Sequence, residues 1–258
     1  MINRKSLKKL SKEQLRGQWT TPVLITLFVV IVQIILVFIN FKINEDLSRN
    51  FLSTIINTFI AFSISIMINS FYLKLSRGTK VSFSDVFVSG KTYSKGLGIQ
   101  LLMEILMLPV AIICGIIIAV IGIKYLNSII YSGLFNATNP SLTSFYIVMS
   151  IITLIIFIPI IILSLYFFPA LILICENNNR GIWESIKYSF KLMNGNVWSL
   201  FVLHLSFIGW SLLCILSLGI GFLWLIPYIN TTLLNFYNAI IDNSINNNTN
   251  YNDITSLT

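Results

Sequence analysis

Long apolar runs alternate with short polar segments along the whole chain, a pattern that predicts a bundle of membrane-spanning helices. A helix that crosses the hydrocarbon core of a bilayer needs about 20 consecutive apolar residues. The strands of a membrane β-barrel would instead alternate apolar and polar positions, which these continuous runs do not. The runs that are long enough lie at about 19–41, 51–72, 96–123, 145–174, 197–217 and 222–241. The pattern therefore predicts an all-α, polytopic bundle of six transmembrane helices.

The last two spans belong to one apolar block, residues 197–241, that contains no lysine or arginine. The block is interrupted only at the sequence LSLGIG, where glycines accept the positive φ angles of a tight reversal at little cost. We therefore expect a helical hairpin with almost no loop at its far end, and with Gly219 and Gly221 in the turn.

The N-terminal segment, residues 1–18, has the pattern of a basic amphipathic helix. At about 100° per residue its cations share one side of the helix. These cations are Lys5, Lys8, Lys9, Lys12 and Arg16. Each cation near the anionic inner leaflet contributes roughly 1 kcal/mol of attraction, so this helix is expected to lie on the membrane lipids.

Two other polar segments are also expected at the interface, and the tail is not expected to fold. Residues 74–95 form a connection with a short helix predicted at 83–87. The tail, residues 242–258, is rich in asparagine and is predicted to be disordered. The segment before the final hairpin is predicted to be an amphipathic helix. Its apolar face consists of Ile182, Trp183, Ile186, Phe190 and Met193.

The distribution of charge predicts an orientation for the six spans. Hydrophobic residues make up 56% of the 258 and charged residues only 10%, which excludes a water-soluble domain. Of the 17 cations, only Lys42, Arg49 and Lys124 lie in the loops that face away from the N-terminus. Because cytoplasmic loops carry the excess of lysine and arginine, both termini are predicted to be cytoplasmic. This asymmetry also accounts for the net charge of +8, so no nucleic-acid partner is expected.

Two ionisable residues lie deep in the predicted spans. At about 1.5 Å per residue, Glu104 lies about 12 Å into the third span and His204 about 10 Å into the fifth. Ionisable groups at such depth cost about 2.5–3.5 kcal/mol on insertion scales and often mark a function. The hypothesis is an inward-facing polar pocket of Glu104 and His204, supported by Tyr228, Thr231 and Asn235. In the structural alternative, Glu104 ties helices together and His204 donates to a neighbouring carbonyl.

Signatures of enzymes and of cofactor or metal sites are missing from the sequence. The chain has no GxSxG, HExxH, Walker or GxGxxG motif, and its cysteines show no CxxC or Cys/His spacing. We therefore expect no enzyme activity, no cofactor and no metal.

Several segments resemble an uncharacterised family of bacterial membrane proteins, domain of unknown function 975. The likeness is carried by the start that ends in GQW, by RGTKVSFSDVF, by ESIKYSFKLMNG and by the final hairpin, above all residues 207–210 and 219–228. The resemblance implies a multi-span protein of the bacterial cytoplasmic membrane and assigns no reaction to it.

Three functions are compatible with these observations. The basic helices favour a protein that acts by binding a lipid, a membrane protein partner or a second copy, or that protects the membrane as a bacteriocin-immunity factor does. The buried Glu104 and the prolines in the spans favour a small-solute or proton-coupled transporter. An intramembrane enzyme that modifies lipid has the least support.

Overall fold

The computed structural model describes residues 3–43, 47–131 and 140–255, and these residues form helices without a strand. The fold is therefore all-α, as the apolar pattern predicts. A 3₁₀ turn at Phe83–Val86 coincides with the short helix predicted there. The α-helices are α1 (Arg4–Leu15), α2 (Thr20–Ile43), α3 (Leu47–Ser76), α4 (Gly90–Tyr131), α5 (Pro140–Glu176), α6 (Ile182–Met193), α7 (Val197–Leu216) and α8 (Phe222–Thr255).

Five helices of the described residues are long and apolar enough to cross a membrane. They are α2, α3, α4, α5 and α7, which correspond to the first five predicted spans. The sixth predicted span, 222–241, lies within α8. The mean hydropathy of this helix is lower than that of the five spans. Asparagines, threonines and Pro227 interrupt its apolar residues. All six predicted spans are thus confirmed as helices. Five of them are also long and apolar enough to cross a membrane. The predicted orientation stays a prediction.

Two segments that the sequence assigns to a connection and to a disordered tail are helical. Helix α4 continues past residue 123 to Tyr131, and α8 continues past residue 241 to Thr255. Residues 242–255 are thus helical in the structure, where the sequence pattern predicts disorder. The predicted loops around residues 44–46 and 132–139, and the end of the tail at 256–258, lie outside the described residues.

The chain divides into two compact units. The first comprises residues 1–100 and 168–258 and contains α1, α2, α3, α6, α7 and α8. The second comprises residues 101–167, the greater parts of α4 and α5. The part of α4 that lies in the second unit has no buried residue from Leu101 to Ile123.

Helix α8 is the central helix of the first unit. It packs against α1, α2, α3, α6 and α7. Its buried side chains combine aromatic and polar residues, including Phe236, Tyr237, Thr231 and Asn235. A helix enclosed by protein needs no continuous apolar surface, since its polar groups can bond to neighbouring helices. This explains why the most enclosed helix is also less apolar than the five spans.

An ion pair and a hydrogen bond connect the C-terminal ends of α3 and α5 to the middle of α8. Tyr237 donates to Glu176 over 2.6 Å, and Glu176 also pairs with Arg77. Nearby, Asp85 pairs with Lys74 over 2.8 Å and accepts from the Ser82 backbone N–H. Lys74 and the two donors on Ser82 lower the pKa of Asp85 to about 2. Two residues of the RGTKVSFSDVF segment, Arg77 and Asp85, therefore have a structural role.

Helix α6 is confirmed as an amphipathic helix, but its apolar face packs on protein. Ile186 and Met193 are buried, whereas Trp183 is 52% exposed. Ile182 reaches α4, where an added Cβ at Gly98 would lie 2.6 Å from the Ile182 Cδ1 atom. The helix is therefore part of the packing of the first unit, with Trp183 at its surface.

The predicted hairpin between α7 and α8 is confirmed, with a turn at residues 217–221. Gly219 has a φ of +85°, and the preceding Leu218 also has a positive φ of 54°. Gly221 lets the two helices approach, since a Cβ there would lie 2.7 Å from Cys214 Sγ and 3.1 Å from the Cys214 Cα atom. Both predicted turn glycines thus have a geometric reason to be glycine.

We expect Gly221→Ala to destabilise the protein by about 1–3 kcal/mol, because the new methyl group overpacks against Cys214. The matched control is Gly209→Ala in α7, where a Cβ would meet no atom within 4 Å. Because alanine is the better helix former, the control should be neutral or stabilising. Thermal unfolding of both variants in the same detergent measures the difference, and equal midpoints would contradict this account of the turn.

Candidate functional site

Helix α1 is held against the C-terminal part of the chain by buried polar contacts. Asn235 of α8, which is 3% exposed, donates to Ser11 Oγ over 2.9 Å and to Gln14 Oε1 over 2.7 Å. Gln14 in turn donates to the Ser76 carbonyl of α3 over 2.6 Å. The amphipathic helix is confirmed, but the structure makes it a packed element of the first unit, with its buried side on α8.

The cationic side of α1 faces the α7–α8 hairpin. Lys8 donates to the Ser206 carbonyl over 3.2 Å, and its Nζ lies 4.2 Å from the centroid of the Phe207 ring. Lys12 Nζ lies 5.7 Å from the ring of Tyr228, which meets Phe207 edge-on. Cation–π contacts of this kind contribute about 0.5–2 kcal/mol, more where water is excluded. The two aromatic rings therefore hold two of the lysines towards the hairpin.

Between α1 and the hairpin lies a cavity of about 760 Å³. We call it the α1 cavity. Its lining contains all five cations of the basic side of α1 and no acidic residue. Its other walls are largely aromatic and apolar. They consist of Trp19, Trp210, Cys214, Gly221, Trp224, Leu225 and Tyr228.

The cations of the α1 cavity are poorly compensated. Burial, together with the charges of Lys12 and Arg4, lowers the pKa of Lys8. Lys9 has Glu13 at 3.9 Å, but both side chains are more than half exposed, so the pair contributes little. Like charges one turn apart on a helix repel each other by a few tenths of a kcal/mol per pair. A row of cations of this kind attracts anions electrostatically.

The residues predicted to support a polar pocket have separate roles in the structure. Tyr228 lines the α1 cavity, and Asn235 anchors α1. Thr231 is buried and donates to the Pro227 carbonyl one turn earlier. The turn residue Gly221 also lines the cavity. Of the three residues predicted to support the polar pocket, Tyr228 alone lines the α1 cavity, whereas Gly221 was predicted only as a turn residue.

The two ionisable residues of the predicted pocket lie in different compact units. His204, in the first unit, is exposed, and its Nδ1 lies 3.0 Å from the Leu200 carbonyl oxygen. This contact is the one that the structural alternative predicts. Glu104, in the second unit, is an exposed residue of α4. A pocket shared by Glu104 and His204 stays a prediction.

Sequence reasoning missed the tryptophan wall of the α1 cavity. Trp210 and Trp224 lie on either side of the hairpin turn, and Trp19 follows α1 directly. Each of the three lies either at a predicted membrane–water interface or inside a predicted span. Tryptophan is common at such positions in proteins that bind no ligand there. Only the proximity of α1 to the hairpin shows that the three side chains share a cavity.

A family model matches most of the chain. The family described as "Protein of unknown function (DUF975)" matches residues 1–244, which include every residue that lines the α1 cavity. Comparisons with the curated proteins and with the solved structures found no significant match.

Proposed function

This chain belongs to the DUF975 family of proteins of unknown function, and from that premise we propose that it is a non-enzymatic membrane protein that binds an anionic lipid. The lipid headgroup would lie in the α1 cavity, beside the cations of α1. We place the protein in the cytoplasmic membrane of a bacterium, where anionic lipids are available.

The observation that carries this proposal is the charge of the lining. Five cations and no carboxylate surround one cavity, so a bound anion meets only attraction from the charged side chains. Hydrogen bonds from ammonium or guanidinium to phosphate are about twice as strong as neutral ones. Lys8 and Lys12 are already oriented by Phe207 and Tyr228, which reduces the entropy lost on binding.

The size and the apolar walls of the cavity favour a lipid over a small ion. Pockets for molecules of drug size measure about 300–1,000 Å³, and the 760 Å³ of this cavity falls in that range. The wall formed by Trp210, Trp224 and Leu225 offers contact to an acyl chain or to the glycerol region of a lipid. Indole rings are also the usual side chains at the headgroup level of a membrane.

The lining favours binding over catalysis. Its ionisable side chains are five cations, one tyrosine and one cysteine, and carboxylates and imidazoles, which commonly serve as general bases, are not among the described lining residues. The positive charges of the lining stabilise a bound anion, which supports binding.

Retention of lipid by the purified protein tests this function. We expect native mass spectrometry in mild detergent to detect bound anionic lipid on the wild type. The triple variant Lys5→Gln, Lys12→Gln, Arg16→Gln should lower the affinity for phosphatidylglycerol at least about tenfold, since each contact to an anion contributes on the order of 1 kcal/mol.

The control has the same loss of charge on exposed residues outside the cavity. It combines Lys80→Gln, Lys187→Gln and Lys191→Gln, and it should retain lipid as the wild type does. If both triple variants lost the same affinity for lipid, the loss would be an effect of net charge and not of the α1 cavity. Equal retention in both would refute binding in the α1 cavity.

A further inference from the structure

The cations of the α1 cavity are arranged so that neighbouring side chains can bind one headgroup together. Lys5, Lys8, Lys12 and Arg16 follow each other at intervals of three or four residues, which places neighbours about 5–6 Å apart at Cβ on one side of the helix, and Lys9 is adjacent to Lys8. The row from Lys5 to Arg16 covers about 16 Å at 1.5 Å per residue. Two or three adjacent cations can therefore contact the oxygens of a single phosphate.

The charge on this row exceeds what a monoanionic headgroup would neutralise. Among the residues that the structure describes, a carboxylate lies within 4.0 Å of Lys9 but of no other cation in this row, and that neighbour, Glu13, is not part of the lining. Four further cations face the same space without an acidic side chain among the lining residues. The phosphodiester of phosphatidylglycerol carries a single negative charge, whereas a phosphomonoester carries about −1.5 to −2 at pH 7.

We infer that the α1 cavity selects lipids whose headgroup carries at least two negative charges, that is, a terminal phosphomonoester or a diphosphate attached to a long apolar chain. This inference rests on the proposed function and names the class of lipid. A terminal phosphate also exposes three oxygens to the cations of α1, whereas a diester exposes two. The chain would lie along the wall of Trp210, Trp224 and Leu225.

The tryptophans of the protein make this selectivity measurable at the cavity itself. Of the five tryptophans, Trp19, Trp210 and Trp224 line the cavity, while Trp183 and Trp198 are 52% and 71% exposed. In the full-length protein with Trp183→Phe and Trp198→Phe, all remaining indole fluorescence comes from the cavity. Lipids with brominated chains quench it on binding.

The experiment compares lipids with identical brominated chains in nanodiscs of phosphatidylcholine. Phosphatidic acid provides the phosphomonoester, phosphatidylglycerol the phosphodiester and diacylglycerol the neutral reference. We expect phosphatidic acid to bind at least about tenfold more tightly than phosphatidylglycerol, because of its extra charge and its third free oxygen. Lys5→Gln with Lys12→Gln should reduce that preference below about threefold, whereas Lys80→Gln with Lys191→Gln should leave it unchanged.

Four other outcomes of this experiment would contradict the selectivity, the role of the charges or the binding of a lipid. Equal affinity for the two anionic lipids refutes the selectivity and leaves the proposed lipid binding intact. Quenching by diacylglycerol as strong as that by the anionic lipids refutes a role for the charges. No quenching by any lipid refutes both. Displacement of phosphatidic acid by inorganic phosphate or pyrophosphate at the same concentration assigns the cavity to a free anion instead of a lipid.

Discussion

Asn235→Leu should release α1 from the rest of the protein while the other helices stay folded. The substitution removes both donations from Asn235 and leaves Ser11 and Gln14 without that buried partner. Each lost hydrogen bond costs about 0.5–1.5 kcal/mol, and a buried polar group left unpaired costs about 1–3 kcal/mol. We expect the free energy of local opening of α1 to fall by about 3 kcal/mol, which is on the order of a 100-fold faster amide exchange.

Hydrogen exchange of residues 4–15 in detergent, read by mass spectrometry, measures this opening. The matched control is Asn238→Leu, because Asn238 lies on the same helix and donates to Ser76 Oγ instead of to α1. Exchange in α1 should change less than about threefold in that variant, since no contact of α1 is removed. An unchanged exchange rate in Asn235→Leu would mean that the cation contacts to the hairpin hold α1 without the Asn235 anchor.

Phe236→Ala should destabilise the protein by about 3–5 kcal/mol, the range for truncation of a large buried aromatic side chain. Phe236 is 0% exposed in α8, the helix against which five others pack. The stability is lost because packing contacts of the ring disappear and the surrounding helices cannot fully close the cavity that it leaves. Unfolding of the purified protein by denaturant in a fixed detergent measures the free energy difference.

Phe38→Ala is the control for this prediction. Phe38 lies in α2 and is 67% exposed, so its removal takes away few contacts within the protein. We expect a change below about 1 kcal/mol there. If the two alanine variants were equally destabilised, α8 would not be the central helix of the first unit.

Much of the helical architecture is predictable from the chain, because apolar runs of membrane length leave few alternatives. The hairpin turn was located by Gly219 and Gly221, which lie two residues apart near the middle of an apolar block. Helix ends were less predictable. The helix of α8 extends into an asparagine-rich tail, because the backbone bonds of a helix can continue through polar residues beyond the apolar run.

The position of α1 could not be predicted from its pattern. A helix with cations on one side and Leu7, Ser11 and Leu15 on another fits a membrane surface and a protein surface equally well. The polar Asn235 indicated that α8 needs a polar neighbour, but not which segment provides it. The α1 cavity could be recognised only from the structure, because its lining residues come from the two ends of the chain.

The anchor between Asn235 and Ser11 joins residues that are 224 positions apart. At 5–20 residues per second, a ribosome needs about 10–45 s to synthesise the chain between them. During that time α1 has left the ribosome, but the helix that anchors it does not yet exist. Helix α1 therefore reaches its final place only after α8 is made, and a chain that terminates before α8 leaves five positive charges without the hairpin that they face.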